Sequence, residues 1–178
     1  METLEQLRYP IGKFSDPGSF DPRLAASHIQ DIERLPGQLE AAVRGLDEDK
    51  LNTPYRPEGW TVRQVIHHVP ESHMNAYIRF KLGLTEDNPT IKTYQENLWA
   101  KLPDIEATPV QVSLDLLRAL HIRWVTLLRT MTPEQFGRSI FHPEHQKSIT
   151  LWYLTAMYSW HGRHHLAHIT GAKQRNGW

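Results

Sequence analysis

The segment Trp160-His161-Gly162-Arg163-His164-His165-Leu166-Ala167-His168 places four histidines within eight residues, in a chain that has 11 in all. If the segment is helical, His161, His165 and His168 recur at steps of four and three and share one face. The same stripe runs back through Tyr158, Leu154 and Leu151 and forward to Ala172. It is apolar at its start and turns to imidazole halfway along. Polar rings on a core-facing stripe need partners, because burying a polar group without one is costly. Three imidazoles satisfy one another poorly, and protonating them would set like charges side by side. A divalent metal resolves the conflict, since each neutral ring gives it one nitrogen lone pair. His161 and His165, at i and i+4, are spaced to hold one ion together. His168 reads as a cavity residue or a support rather than a fourth ligand, and His164 and Arg163 as solvent-facing.

Two histidines leave an ion under-coordinated. The candidates for a third are His67, His68 and His73. His67 and His68 point about 100° apart on a helix, so only one of them aims at a given site. Val62, Val65, Ile66 and Val69 mark the apolar side, with His68 on its flank. Spacing alone leaves both open. Glu71, three residues after His68, is a candidate for orienting a ligand or acting as a base, and equally reads as an exposed acid. Pro70 reads as a tolerated kink or as a bend that aims His68. His28, His121, His142 and His145 are scattered and read as surface or packing residues. Trp60, Trp124, Trp152 and Trp160 read as core.

Four amphipathic stretches must position these residues. The first runs from about Asp21 to Gly45, with Ala25, Ile29, Ile32, Leu39 and Val43 on one face, and Pro36 should kink or split it. The second opens on a Thr61-x-x-Gln64 capping box and continues to about Leu84. The third follows Thr108-Pro109, read as an N-cap with Pro at the first helical position, and carries Val112, Leu116, Leu117, Leu120, Trp124, Leu127, Leu128 and Met131. The fourth spans about Thr150 to Lys173. The polar stretch between Thr85 and Thr108 is long for a structureless loop, so it should cover something or carry a short helical piece. Ser139–His142 and Ser148–Leu151 flank Pro143-Glu144 as a small hairpin. Together these predict an all-α four-helix bundle in one domain, residues 1–178, with a small β-hairpin before the last helix.

Composition narrows the function. Lys plus Arg and Asp plus Glu number 20 each, so no global field favours a nucleic acid or an anionic membrane surface. The absence of Cys excludes disulfides, thiolate metal sites and a Cys nucleophile. The start Met-Glu-Thr-Leu-Glu-Gln-Leu-Arg lacks the apolar run of a signal peptide, and no stretch approaches the ~20 residues of a membrane span. A soluble, cytoplasmic protein acting on a small molecule is the expectation.

Gly59-Trp60-Thr61-Val62-Arg63-Gln64-Val65-Ile66-His67-His68, then Ser72-His73-Met74-Asn75-Ala76-Tyr77, and Trp160-His161 through His168-Ile169 resemble the YfiT branch of the DinB-like superfamily. Tyr9-Pro10-Ile11-Gly12, Asn52-Thr53-Pro54-Tyr55-Arg56, His121 to Leu128 and the terminal Gly177-Trp178 carry the resemblance over nearly the whole chain. It implies a four-helix bundle, usually a homodimer, that binds one divalent ion, nickel or zinc, through three histidines. The matching positions are His68, His161 and His165. The chain departs from the family pattern at Val69-Pro70-Glu71, where a Pro-free Leu-Ala-Asp is usual. Members carry the working name of metal-dependent hydrolases, and some relatives transfer small thiols such as bacillithiol to electrophiles. Three functions follow as expectations: hydrolysis of a small molecule, transfer of a low-molecular-weight thiol, and non-catalytic binding of a metal or small molecule.

Overall fold

Local signals set the helix ends. The Asp21 carboxylate accepts from the backbone N–H groups of Arg23 and Leu24, and Pro22 sits in the first turn, where its missing N–H leaves nothing unpaired. Thr61 and Gln64 close a reciprocal capping box. Thr150 caps the last helix through the Tyr153 N–H, and Gly177, left-handed at φ 70°, terminates it.

The computed structural model describes residues 2–178. Its elements are α1 (Leu4–Arg8), α2 (Pro22–Val43), α3 (Glu48–Leu51), α4 (Val62–Thr85), α5 (Glu96–Trp99), α6 (Asp104–Ala107), α7 (Val110–Thr130), α8 (Pro133–Phe136), β1 (Ser139–His142), β2 (Lys147–Thr150) and α9 (Leu151–Asn176). The long helices α2, α4, α7 and α9 form the bundle. β1 and β2 pair antiparallel, Ser139 opposite Thr150 and His142 opposite Lys147. The hairpin's second strand therefore starts one residue earlier than its sequence suggests. The stretch between α4 and α7 carries the short helices α5 and α6. Gln64 anchors it by donating from Nε2 to the Ala100 carbonyl at 2.7 Å. No helix among the described residues is long and apolar enough to cross a membrane.

Two local expectations are corrected, and a third, that Pro36 kinks or splits its helix, is narrowed. Pro36 does not split its helix, which runs unbroken from Pro22 to Val43 because buried apolar residues on both sides of the proline hold it against its neighbours. Pro109 is the N-cap of α7 rather than its first helical residue, since Thr108 ends α6 by donating its N–H to the Asp104 carbonyl. Val112 and Leu116 face outward, at 53% and 43% exposure, so the buried stripe of α7 is Leu114, Leu117, His121, Trp124 and Leu128.

α9 packs against α2 and α4, and α7 packs against the same two helices. The consecutive long helices α2 and α4 thus lie across the bundle's diagonal. This arrangement makes α4 and α9 direct neighbours. Two apolar clusters fill the interior. One surrounds Phe80, Trp124, Trp152 and Tyr158, the other Leu35, Leu39, Val65, Leu117 and Ile169.

Gly162 lies where α9 meets α2. A methyl group there would stand 2.5 Å from Cδ2 of Leu35, which is 1% exposed. Overpacking of this kind destabilises by about 1–3 kcal/mol, more than the ~1 kcal/mol that alanine gains over glycine in a helix. Gly162→Ala is expected to lower the melting temperature by a few degrees in a thermal melt. An unchanged or higher value would mean that α2 and α9 separate freely.

Candidate metal centre

The α4–α9 contact gathers His68, His161 and His165, one ring nitrogen from each lying within 4.8 Å of the others. Nε2 of His68 faces Nε2 of His161 at 3.3 Å. Two nitrogens bound tetrahedrally at 2.0–2.1 Å are separated by about the same distance, ~3.3 Å. The His165 ring stands 4.9 Å from that of His68 and 4.5 Å from that of His161, both edge to face. Trp60 packs edge-on against His68 and stacks over His165. Burial pushes the His68 ring down to about 4 and holds His161 and His165 well below the ordinary imidazole range, helped by the neighbouring rings. All three are neutral at pH 7 and present lone pairs. Nδ1 of His68 and Nδ1 of His165 are buried without a hydrogen-bond partner. Three neutral, converging nitrogen donors fit a borderline divalent ion.

The structure separates the two histidines that spacing left open. His67 points to α7 and hydrogen-bonds through Nδ1 to the Ser113 hydroxyl at 2.8 Å, whereas His68 joins the group. Glu71 does not line the cavity at the group. It is half-buried, and its carboxyl is pushed up by burial and by Asp104. His164 is a correction. Instead of meeting solvent it is buried, stacked on Trp160 at 4.4 Å and against His168. His168 lines the cavity, stacks on Tyr55 at 3.9 Å and donates from Nε2 to the Arg8 carbonyl, tying the end of α1 over the bundle. Trp124 and Trp152 are core, but Trp60 and Trp160 are only half-buried, because they line the cavity.

Of the two readings open for His121, surface or packing, the structure takes the second and adds a role that sequence reasoning did not foresee. It is 2% exposed and donates from Nδ1 to the Ile32 carbonyl at 2.6 Å. That carbonyl is available because Pro36, four residues on, has no N–H to give it. A carbonyl only accepts, so the neutral His121 carries its proton on Nδ1 and leaves Nε2 bare. Nε2 of His121 lies 2.8 Å from Nδ1 of His73, which must therefore be the donor. Nε2 of His73 is then bare and accepts from Nδ1 of His161 at 3.1 Å. Three rings in series share one tautomer. The last of them, His161, presents an unprotonated Nε2 to His68. Burial keeps every member neutral: His121 is pushed down to about 4, and His73 and His161 are likewise held well below the ordinary range.

The group stands on the wall of an open cavity of about 570 Å³. Tyr55, Trp60, Tyr94 and Trp160 supply aromatic walls, and Ser72, Arg79 and Tyr158 polar ones. Burial raises the Tyr94 phenol to about 12, so it stays protonated and can donate.

Two measurements check the network on metal-free protein. Nitrogen-15 ring correlations should show the Nδ1–H tautomer for His121, His73 and His161. Pro36→Ala offers the Ile32 carbonyl a competing helical donor and should produce mixed tautomer signals at His121 and His73. An Nε2–H form at His161 in the unaltered chain would break the series. The second measurement is stability against pH. The unfolded chain binds a proton at His121 near pH 6.5 and the folded chain only near 4. Its contribution is therefore whole above ~6.5 and is lost as pH falls toward 4, by about 3 kcal/mol for this ring. Denaturant titrations at pH 7 and 4 should show at least that loss, and equal stabilities would contradict a buried neutral His121.

The model of the DinB superfamily matches residues 31–169. A protein of Bacillus mycoides, provisionally named a metal-dependent hydrolase, is 50% identical over 175 residues, covering 98% of this chain and all of its own length. One of Geobacillus thermodenitrificans with the same provisional name is 47% identical over 178 residues, covering both chains completely. Among solved structures, YfiT from Bacillus subtilis, described as a probable metal-dependent hydrolase with an unusual four-helix bundle topology, superposes with a TM-score of 0.95. The two are 46% identical, and the match covers 97% of this chain and 99% of that one. With a family match across most of its length and relatives this similar along all of it, the chain belongs to the DinB superfamily.

Proposed function

We propose that the chain is a metal-dependent hydrolase of a small molecule, with one divalent ion, zinc or nickel, held by His68, His161 and His165. The observation that carries this reading is a converging set of three neutral imidazoles on the wall of an open, aromatic-lined cavity. When bound, such an ion acts as a Lewis acid that brings the pKa of a coordinated water toward ~7. The chain's own residues do the rest. His121 and His73 hold the His161 ring in one orientation and one tautomer. Trp60 packs against His68 and His165 and limits water on their outer side. Tyr94 keeps its proton and can donate to a substrate oxygen.

A second reading, transfer of a low-molecular-weight thiol to an electrophile, is favoured by one feature. The carboxylates lining the cavity, Glu58, Glu96 and Glu144, are all exposed at its rim. Among the described residues, none of the carboxylates that line the cavity is buried where it could take a proton from water at the histidine group, and a thiol, with a pKa near 8.5, needs such a base less.

Elemental analysis of purified protein should find one ion per chain. His68→Ala, His161→Ala and His165→Ala should lose it and His67→Ala should keep it. Retention in the first three would overturn the site. Loaded protein is then offered ester and amide substrates, and separately electrophiles with and without small thiols. Turnover without thiol supports hydrolysis, turnover only with thiol supports transfer, and tight metal retention without either supports a binding role. Chelation should also lower the melting temperature. An ion that bridges α4 and α9 and is present at a hundredfold excess over its Kd adds ~2.7 kcal/mol to folding. A melt indifferent to verified metal removal would count against that bridge.

A further inference from the structure

The chain buries two arginines, and they are treated differently. Arg63, 4% exposed, pairs with Glu48, lies 4.0 Å from Glu106 and donates to the Asn52 side chain, so its charge is balanced. Arg79, 8% exposed, has no carboxylate within ion-pair distance among the described residues. Its Nη1 donates to the Tyr158 hydroxyl at 3.1 Å, and its Nη2 reaches the Lys92 carbonyl only at 3.4 Å. Its Nε is buried with no partner at all. The titratable groups around it are the phenols of Tyr94 and Tyr158 and the ring of His142. None of these carries negative charge at neutral pH. Burying an ionised group without a counter-charge is unfavourable, and proteins ordinarily pair it.

Arg79 is also part of the wall of the cavity that holds the histidine group. Tyr158 connects the two, with its hydroxyl on Arg79 and its ring 5.8 Å from that of His161. The acidic residues of the same cavity sit exposed at the rim, while the guanidinium sits inside. We propose that Arg79 is the binding residue for a carboxylate carried by the substrate, so that the cavity takes small anionic molecules whose reacting end lies at His68, His161 and His165. The missing counter-ion of Arg79 is then the ligand itself. A guanidinium suits this role because its planar fork of N–H groups matches a carboxylate in two parallel hydrogen bonds. The position of the reacting end rests on the reading of the three histidines as the reaction centre; the carboxylate contact does not.

The test separates the two. Benzoate and its uncharged isostere benzamide are titrated into chelated, metal-free protein, so that no ion contributes to anion binding. The expected result is saturable benzoate binding with at least tenfold preference over benzamide. The Arg79 Nε–H resonance of the unaltered chain should shift with benzoate and stay in place with benzamide. Arg79→Gln should remove the preference, and Arg79→Lys should keep part of it, having the charge without the fork. His165→Ala should bind benzoate as the unaltered chain does, whatever it does to metal content. Equal binding of the two probes, an unmoved Arg79 resonance, or undiminished benzoate preference in Arg79→Gln would overturn the proposal. If Arg79→Gln fails to fold, the resonance shift in the unaltered chain decides alone. Failure of the unaltered chain to bind any divalent ion, with benzoate binding intact, would overturn the metal reading and leave this contact standing.

Discussion

The hydrogen bond from His121 to the Ile32 carbonyl is the contact on which the polar middle of this bundle depends. It exists because a proline in α2 leaves a helical carbonyl without its usual donor. Inside a helix such a carbonyl is a defect; here it becomes the fixed end of a hydrogen-bond series. A neutral imidazole has one donor and one acceptor nitrogen, so fixing one ring fixes the next. The direction set at Ile32 passes through His121 and His73 and ends as a lone pair on Nε2 of His161. The proline is thus connected to the donor atom of a residue far away in sequence by nothing more than the rule that carbonyls accept.

The same series explains how the bundle holds its register. The two apolar clusters occupy opposite ends of the long helices, and each helix changes cluster near its middle. α2 does so between Ile32 and Leu35, α4 between Val69 and Ala76, α7 between Leu117 and Trp124, and α9 between Tyr158 and Ile169. The members of the series, the Ile32 carbonyl, His73, His121 and His161, fall in or beside those intervals, one on each helix. A polar layer of this kind contributes little net stability, since its bonds replace bonds to water. It makes sliding of any one helix expensive, because a shift would strand a buried ring nitrogen. Apolar stripes alone tolerate such shifts better.

Much of this was legible in the residues. Steps of three and four through Leu151, Leu154, Tyr158, His161, His165 and His168 identify the imidazole-bearing face of α9 without any structure. Choosing between His67 and His68 was beyond spacing, because the flank of an apolar stripe faces a neighbour on either side and only tertiary packing says which neighbour bears the other ligands. His121 could have been decided from the residues. Leu114, Leu117, His121, Trp124 and Leu128 follow the same three-and-four rhythm, which decides for packing where the reading left surface or packing open. His164 was missed. It lies off the core stripe, and what covers it is Trp160 and the N-terminal segment around Tyr9, a contact across the length of the chain that local pattern cannot show. Pro36 was legible as a disturbance of α2, but what the freed carbonyl accepts from is a fact of three dimensions.

The division of labour between helices and connections bears on what can vary in such a site. The converging histidines and the rings that orient them all sit on α4, α7 and α9, packed on several sides. Most of the cavity's remaining wall comes from connections: Tyr9 after α1, Tyr55 to Trp60 before α4, Thr93 to Asn97 after it, and the hairpin at His142 and Glu144. Connections tolerate substitution far better than packed helix faces do. The donor atoms can therefore stay fixed while the shape and charge of the space above them change. Arg79 belongs with Ser72 and Tyr158 to the part of the wall that packed helices supply, and it is held by Tyr158 one turn before His161. A charge kept in that rigid setting, without a protein counter-ion, is tied to the same frame as the imidazoles. On the proposed reading, substrate charge and reacting centre would be positioned by one rigid body, and the connections would be left to select among molecules that meet both.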